Sequence, residues 1–379
     1  MEFKDSNRQP DFSGTPLGHF DWMGQAGDTI ERVPGPLFAL FLVLLAFGAM
    51  RGDVSQTGGL LLFFGTDWLM LIALPRAGKS YGPSKPATLL LAFLRLVPAV
   101  LLPVPWAWIV QGFGTVLAIY GFWIEPHKVQ LTRQTLESPK LLAGPPLRLV
   151  HFGDLHVERV TGRERQLVAM VKSLNPDVIL FSGDFLSYSN VNDPIAWEHC
   201  RSVLSQLSAP LGVYAVTGSP PVDPPEVIAK LLEGLSIRWL KDEMVTLDDH
   251  GQPIDLIGIT CTHRPSVDAP RLQQVLGGIP KRFTILLYHT PDLAPEAASA
   301  GIDLQLSGHT HGGQVRLPFF GAIVTSSLYW KRMEVGRMQI GNLTLYVTRG
   351  LGMEGKGAPR VRFLSPPEVI LWEIGAVVK

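Results

Sequence analysis

Apolar residues are distributed differently in the two parts of this chain. Before about residue 125 they run in long blocks, and after it they come in short runs separated by mixed stretches. Four blocks stand out, at about 34–50, 58–75, 86–103 and 105–124. Each approaches the roughly 20 apolar residues a helix needs to cross a bilayer. The first is short, and only Pro103-Val104-Pro105 separates the last two, so a re-entrant pair is an alternative to four spans. Met1 to Val33 is polar, rich in Gly and Asp and without apolar periodicity, and reads as a disordered or surface-lying leader.

From Glu125 to Pro146 the chain carries Pro, Lys and Arg and reads as an exit linker. Beyond it, strands are predicted at about 147–152, 177–182, 211–216, 254–260, 283–288, 302–307, 343–348 and 368–373. Helices are predicted near 162–175, 195–208, 224–234, 268–277 and 292–300. The alternation is an α/β pattern, and the Val-, Ile- and Leu-rich strands predict sheets covered on both faces. The expected organisation is a leader (1–33), a transmembrane region (34–124), a linker (125–146) and one folded domain (147–379).

Composition adds three constraints. Lys and Arg (33) balance Asp and Glu (33), so bulk charge gives no support to a nucleic-acid-binding role. The two cysteines, Cys200 and Cys261, have neither disulfide-framework nor zinc-ligand spacing and read as buried thiols. Arg76, Lys79 and Lys85 lie between the second and third blocks, whereas Arg51 stands beside Asp53 after the first. By the excess of positive residues on cytoplasmic loops, the N-terminus, the second loop and everything after 125 are expected inside the cell. Asp67 and Arg95 fall at matching depth within neighbouring blocks and are expected to pair, as a staple between helices rather than a transport pathway.

The chemistry lies where strands end. Gly153-Asp154-Leu155-His156 follows one apolar run and Ser182-Gly183-Asp184 another. Tyr288-His289 closes a third, and Gly308-His309-Thr310-His311-Gly312-Gly313-Gln314 opens from a fourth. Carboxylates and imidazoles at successive strand ends can converge on a dinuclear metal site.

In order and in strand-end context these motifs resemble the signature of the calcineurin-like metallophosphoesterases, over roughly residues 147 to 373. Gly312-Gly313-Gln314 and Thr348-Arg349-Gly350-Leu351-Gly352 resemble its membrane-associated bacterial phosphodiesterase branch. The resemblance implies an α/β fold in four layers, two mixed sheets flanked by helices, preceded here by the transmembrane helices. It implies two divalent ions (Mn, Fe or Zn): one held by Asp154, His156 and His311, the other by His289 and His309, with Asp184 bridging. A bridging hydroxide would attack phosphorus in line, so no protein nucleophile is required. Asp184 and His309 are accordingly expected in the catalytic centre. Arg349 could grip a substrate phosphate or pin a loop through carbonyls.

One motif departs from the family. Where the family carries Gly-Asn-His-Asp, this chain has Gly218-Ser219-Pro220-Pro221. Ser219 replaces the Asn that ligates the second metal, leaving only a hydroxyl, and Pro220 replaces a histidine that can protonate the leaving group. His263 offers a replacement donor at the same rim, or is a solvated loop histidine. One expected activity is therefore hydrolysis of a phosphodiester or pyrophosphate bond whose leaving group needs no proton, as in a nucleotide-linked lipid such as a UDP-diacylglucosamine-like precursor. The alternative is a catalytically weak or silent membrane-tethered module that binds metal or phosphate. A transporter, with only Asp67 and Arg95 in its favour, ranks third. The expected setting is the bacterial inner membrane, multi-pass, with the catalytic domain cytoplasmic.

Overall fold

A computed structural model describes residues 21–353 and 357–377, which form two compact units. One comprises residues 21–127 and 357–363, the other 128–353 and 364–377.

The first unit is helical: α1 (Asp21–Arg32), α2 (Gly35–Ala49), α3 (Val54–Arg76), α4 (Ser84–Leu101) and α5 (Val104–Ile119), the last running on through a π turn and a 3-10 turn to His127. Three stretches, Val54–Arg76, Ser84–Leu101 and Val104–His127, are long and apolar enough to cross a membrane. α2 has 15 residues and falls short of a bilayer by itself. It follows α1 at a bend of 109°. Of the two readings of the leader, disordered or surface-lying, α1 removes the disordered one over 21–32, because Ile30 and Val33 pack on the cluster of Phe38, Leu42, Leu60 and Phe64, and the Glu31 carboxylate accepts the Lys85 N–H at 2.8 Å. Residues 1–20 of the leader lie outside the described residues. Val361 packs with Leu71, Leu74 and Phe122, and the Arg362 N–H donates to the Gly121 carbonyl at 3.0 Å, so this late segment belongs to the helical unit.

Asp67 and Arg95 form a bidentate pair, Nε to Oδ2 at 2.5 Å and Nη2 to Oδ1 at 2.7 Å, with both side chains buried. Arg95 Nη1 donates to the carbonyl and side-chain oxygens of Gln111, and Gln111 Nε2 donates back to the Arg95 carbonyl at 2.7 Å. The polar groups of three helices thus satisfy one another where no water is available, which is the arrangement of a staple.

The second unit contains two six-stranded mixed sheets. The first runs in the order β1 (Gln130–Ser138), β14 (Glu368–Ala376), β2 (Leu147–Phe152), β3 (Val178–Phe181), β4 (Val213–Ala215), β5 (Arg238–Trp239). The second runs β12 (Gly336–Ile340), β13 (Leu343–Val347), β9 (Leu304–Ser307), β8 (Thr284–Leu287), β7 (Gln252–Gly258), β6 (Glu243–Asp249). Side chains alternate faces along each strand. Leu149, Val178 and Leu180 point inward to meet Leu256, Ile285, Leu306 and Tyr346 of the other sheet. Ile179 and Phe181 point outward beneath α6 (Gly162–Leu174), α7 (Pro194–Leu204) and α8 (Pro225–Leu232). Outside the second sheet lie α9 (Pro265–Leu276) and α10 (Ala294–Ser299), which cover Ile257, Leu286 and Leu345. The result is a four-layer sandwich, with each large apolar side chain contributing roughly 1.5–3 kcal/mol on leaving water.

The supposed linker contains β1, which pairs in parallel with β14 over nine positions from Gln130↔Glu368 to Ser138↔Ala376. Its sequence, Gln-Leu-Thr-Arg-Gln-Thr-Leu-Glu-Ser, gives no strand signal because it is a sheet edge with only Leu131 and Leu136 apolar. The edge strands β6 and β12 were unreadable for the same reason.

Replacing Arg95 by Leu would leave the Asp67 carboxylate buried without its partner. We expect Arg95→Leu to lower the unfolding midpoint in detergent, by the equivalent of roughly 3–5 kcal/mol. The double variant Asp67→Leu/Arg95→Leu should recover most of that loss, and a thermal-unfolding double-mutant cycle reads the difference.

Candidate metal centre

Every residue of the site sits just beyond a strand's C-terminal end. Asp154 and His156 follow β2, Asp184 follows β3 and Ser219 follows β4, while His263, His289 and the His309/His311 pair follow β7, β8 and β9. Parallel strands of both sheets deliver their loops to one rim, so residues up to 157 positions apart in sequence share one pocket. Asp154, His156, Asp184, His263, His309 and His311 all have positive φ, between 42° and 73°. For residues with a Cβ this costs roughly 1–3 kcal/mol each and persists only where the surroundings enforce it. Two glycines leave the room. A Cβ on Gly218 would collide with Asp184, and one on Gly350 (φ +66°) would come within 2.6 Å of the Asp154 Cβ.

Asp154, His156 and His311 offer ligand atoms within 4.8 Å of one another; so do Asp154, Asp184 and His289, and so do His263, His289 and His309. All are buried. His156 Nε2 lies 3.0 Å from His311 Nε2, two ring nitrogens facing one point, and 3.5 Å from Asp184 Oδ2. His289 Nε2 lies 3.3 Å from the same oxygen. Backbone carbonyls orient the rings: His289 Nδ1 donates to the Ser182 carbonyl at 2.8 Å and His156 Nδ1 to that of Leu186 at 3.3 Å, leaving each Nε2 directed at the Asp184 carboxylate. Asp154 Oδ1 accepts the His309 N–H at 2.9 Å, and Asp184 Oδ1 accepts the Ser219 N–H at 2.7 Å.

The electrostatics match a site made for cations. Burial alone would depress His289, but the Asp184 carboxylate holds it up to about 9. Burial opposes ionisation of Asp184, yet His289, His156 and His309 keep its carboxyl well below the usual range. Burial raises Asp154 to about 6 and pushes His263 down to about 3, leaving the His263 ring neutral and able to donate a lone pair. Asp154 Oδ2, His263 Nε2 and His309 Nε2 are buried without a hydrogen-bond partner. Buried polar atoms are normally satisfied, so three orphans in one cluster fit divalent ions. Imidazole and carboxylate donors suit Mn, Fe or Zn.

His263 is not solvated: its ring is 5% exposed and its centroid lies 4.5 Å from that of His309. Arg349 is tied to the start of β14, with Nη2 donating to Glu368 Oε2 at 2.5 Å and its N–H to Glu368 Oε1 at 2.9 Å. The Ser219 hydroxyl remains in the centre, 3.2 Å from His289 Nε2 and 3.4 Å from His309 Nδ1.

Sequence reasoning missed Asp223. Its buried carboxylate accepts the N–H groups of Asp184 (2.7 Å), Phe185 (3.0 Å) and Gly218 (2.7 Å), clamping the Asp184 loop to the Ser219 loop. The available signal was an acidic residue inside the Pro-rich stretch after Gly218. Asp268 was missed too: it accepts the Thr262 N–H at 2.8 Å and the Tyr288 hydroxyl at 2.6 Å.

The profile described as Calcineurin-like phosphoesterase matches residues 147–313. An uncharacterized metallophosphoesterase of Bacillus subtilis, YkuE, is 30% identical over 274 residues, covering 69% of this chain and 90% of that one. The chain belongs to the calcineurin-like metallophosphoesterase family and is a phosphoester hydrolase by class. The UDP-2,3-diacylglucosamine pyrophosphatase LpxG of Chlamydia trachomatis is 27% identical over 304 residues, covering 65% of this chain and 90% of LpxG. A transmembrane protein with metallophosphoesterase domain from Danio rerio is 30% identical over 258 residues, covering 63% of this chain and 56% of that protein.

Asp223→Asn would keep one acceptor oxygen and turn an amide donor toward at least one of the three backbone N–H groups. We expect metal affinity to fall about 10–100-fold with the far-ultraviolet circular dichroism unchanged, read by titrating metal into the metal-free protein.

Proposed function

We propose that this protein is a membrane-anchored, two-metal phosphoesterase that cleaves a pyrophosphate or phosphodiester bond in a lipid-linked nucleotide. The observation carrying this reading is the pairing of a complete buried Asp/His cluster with Pro220 at the place of the family's proton donor. Proline has no proton to give. A pyrophosphate bond suits such a site, because the phosphomonoester that leaves is stable as an anion. The similarity to LpxG points the same way.

When bound, two divalent ions would supply an activated water and Lewis acidity toward a phosphoryl oxygen. The chain's own residues do the rest. Asp184, held by the Ser219 N–H, lies between the two imidazole groups, with His156 Nε2 and His289 Nε2 both within 3.5 Å of its Oδ2. His289, with Nδ1 tied to Ser182, keeps a fixed ring orientation. In the hydrolysis the water oxygen bonds to phosphorus and its protons pass to solvent, the bond from phosphorus to the bridging oxygen breaks, and the leaving phosphomonoester takes the electron pair.

An apolar hairpin leads directly out of the site. After Gln314 the chain forms β10 (Arg316–Leu317) and β11 (Gly321–Ala322), with Leu317, Phe319, Phe320, Ile323 and Val324 exposed. Exposed apolar surface of this kind marks a ligand or membrane contact, here for acyl chains of the substrate. In the helical unit, Lys79 Nζ donates to the Trp123 carbonyl at 3.0 Å, so the end of the last span lies beside the loop bearing Arg76 and Lys79. That positive loop supports a cytoplasmic exit and a multi-pass place in a bacterial inner membrane.

The first test measures turnover by the full-length protein in detergent with Mn supplied. We expect cleavage of a UDP-linked lipid and of bis-p-nitrophenyl phosphate, whose nitrophenolate also leaves unprotonated, and no cleavage of a dialkyl phosphodiester. Asp184→Ala should abolish turnover of both substrates. An inert wild type holding fewer than two ions would favour the binding-module reading, which the loss of the Asn-His pair at Ser219-Pro220 supports. Phe319→Ser/Phe320→Ser should lower kcat/KM for the lipid-linked substrate relative to bis-p-nitrophenyl phosphate by at least about tenfold.

A further inference from the structure

The second ion's usual asparagine ligand is missing in this chain, and the structure contains a substitute that comes from a different loop. We infer that His263 ligates the second metal ion through Nε2, together with His289, His309 and Asp184. This rests on the two-ion reading above and assigns a residue that reading left undetermined.

Position is the first argument. His263, His289 and His309 present ligand atoms within 4.8 Å of one another, and all three are buried. The His263 ring lies edge-on to His309 at 4.5 Å and to His289 at 6.1 Å between centroids. Satisfaction is the second. His263 Nε2 and His309 Nε2 are both buried with no hydrogen-bond partner, and a buried ring nitrogen in that condition is costly unless a cation takes its lone pair. The remaining argument is preorganisation. Asp268, fully buried at the start of α9, receives the Thr262 N–H and hydroxyl at 2.8 and 2.9 Å and the Tyr288 hydroxyl at 2.6 Å. The residues immediately before His263 and before His289 therefore hold the same carboxylate, which fixes the two imidazoles relative to each other. The His263 backbone takes positive φ, +60°, as do Asp154, His156, Asp184, His309 and His311.

Exchanging an amide oxygen for an imidazole changes the chemistry of the second site. Three imidazoles and one carboxylate favour Zn, Fe or Co over Mn, whereas the Asp154, His156, His311 and Asp184 set retains two carboxylates. Ser219 then lies beside the second ion's ligands without having to replace the asparagine.

The test is metal content and the visible spectrum of Co(II)-loaded full-length protein in detergent, for wild type, His263→Ala, His263→Gln and Ser219→Asn/His263→Ala. We expect two Co(II) per wild-type chain. In His263→Ala the second equivalent should bind at least about tenfold more weakly, with a changed d–d band and an unchanged first equivalent. Ser219→Asn/His263→Ala should regain part of the lost affinity by restoring the amide ligand. His263→Gln keeps bulk and a side-chain oxygen, so it separates loss of a ligand from loss of packing: it should hold the second ion with a spectrum unlike wild type. Two tightly held ions and a wild-type spectrum in both His263→Ala and His263→Gln would overturn the assignment and leave the two-ion reading standing. Fewer than two ions in wild type would overturn that reading as well.

Discussion

Two carboxylates and five imidazoles withdrawn from water at one rim set the terms for the rest of this structure. An isolated buried charge is costly, and Asp154 and Asp184 repel each other wherever both are ionised. The arrangement is tolerable because Asp184 is surrounded by His156, His289 and His309, and because divalent cations would complete the balance. Almost everything else in the phosphoesterase unit holds those groups in that unfavourable proximity. The strained backbone at six of the positions shows the same constraint.

The holding is done by a further ring of carboxylates and carbonyls. Asp223 joins the Asp184 and Ser219 loops, Asp268 joins the His263 and His289 loops, and Glu368 at the start of β14 holds Arg349. None of the three belongs to a ligand cluster. Each converts flexible loop ends into a fixed pocket by accepting from groups on two segments, which is how ligands separated in sequence acquire common geometry. The loss of asparagine at position 219 is local in this view. The rim has enough strands that another loop, the one bearing His263, ends beside His289 and His309.

The helical unit meets a related requirement in its own interior. Buried polar groups need partners, and Asp67, Arg95, Gln111 and Thr115 satisfy one another. Such a closed network specifies which helices pack together.

Much of this was legible because burial and periodicity act locally. Eight strands and five helices of the second unit, the apolar blocks, the expected Asp67–Arg95 pair and the ligand motifs at strand ends all follow from patterns of a few residues. The edge strands β1, β6 and β12 do not, since a half-exposed strand can be polar and its pairing is supplied from far away: β1 meets β14 more than 230 residues later. Helix α1 was hidden for the same reason, its few apolar side chains acquiring meaning only against α2 and α4. The sequence by itself determined the class of chemistry, because carboxylate and imidazole ligands must follow buried strands whatever the details. Only the tertiary structure decided that His263 lies beside His289 and His309, and what Asp223, Asp268 and Glu368 hold. A loop residue's function depends on which other loops reach the same rim, and that is a property of sheet order rather than of neighbours along the chain.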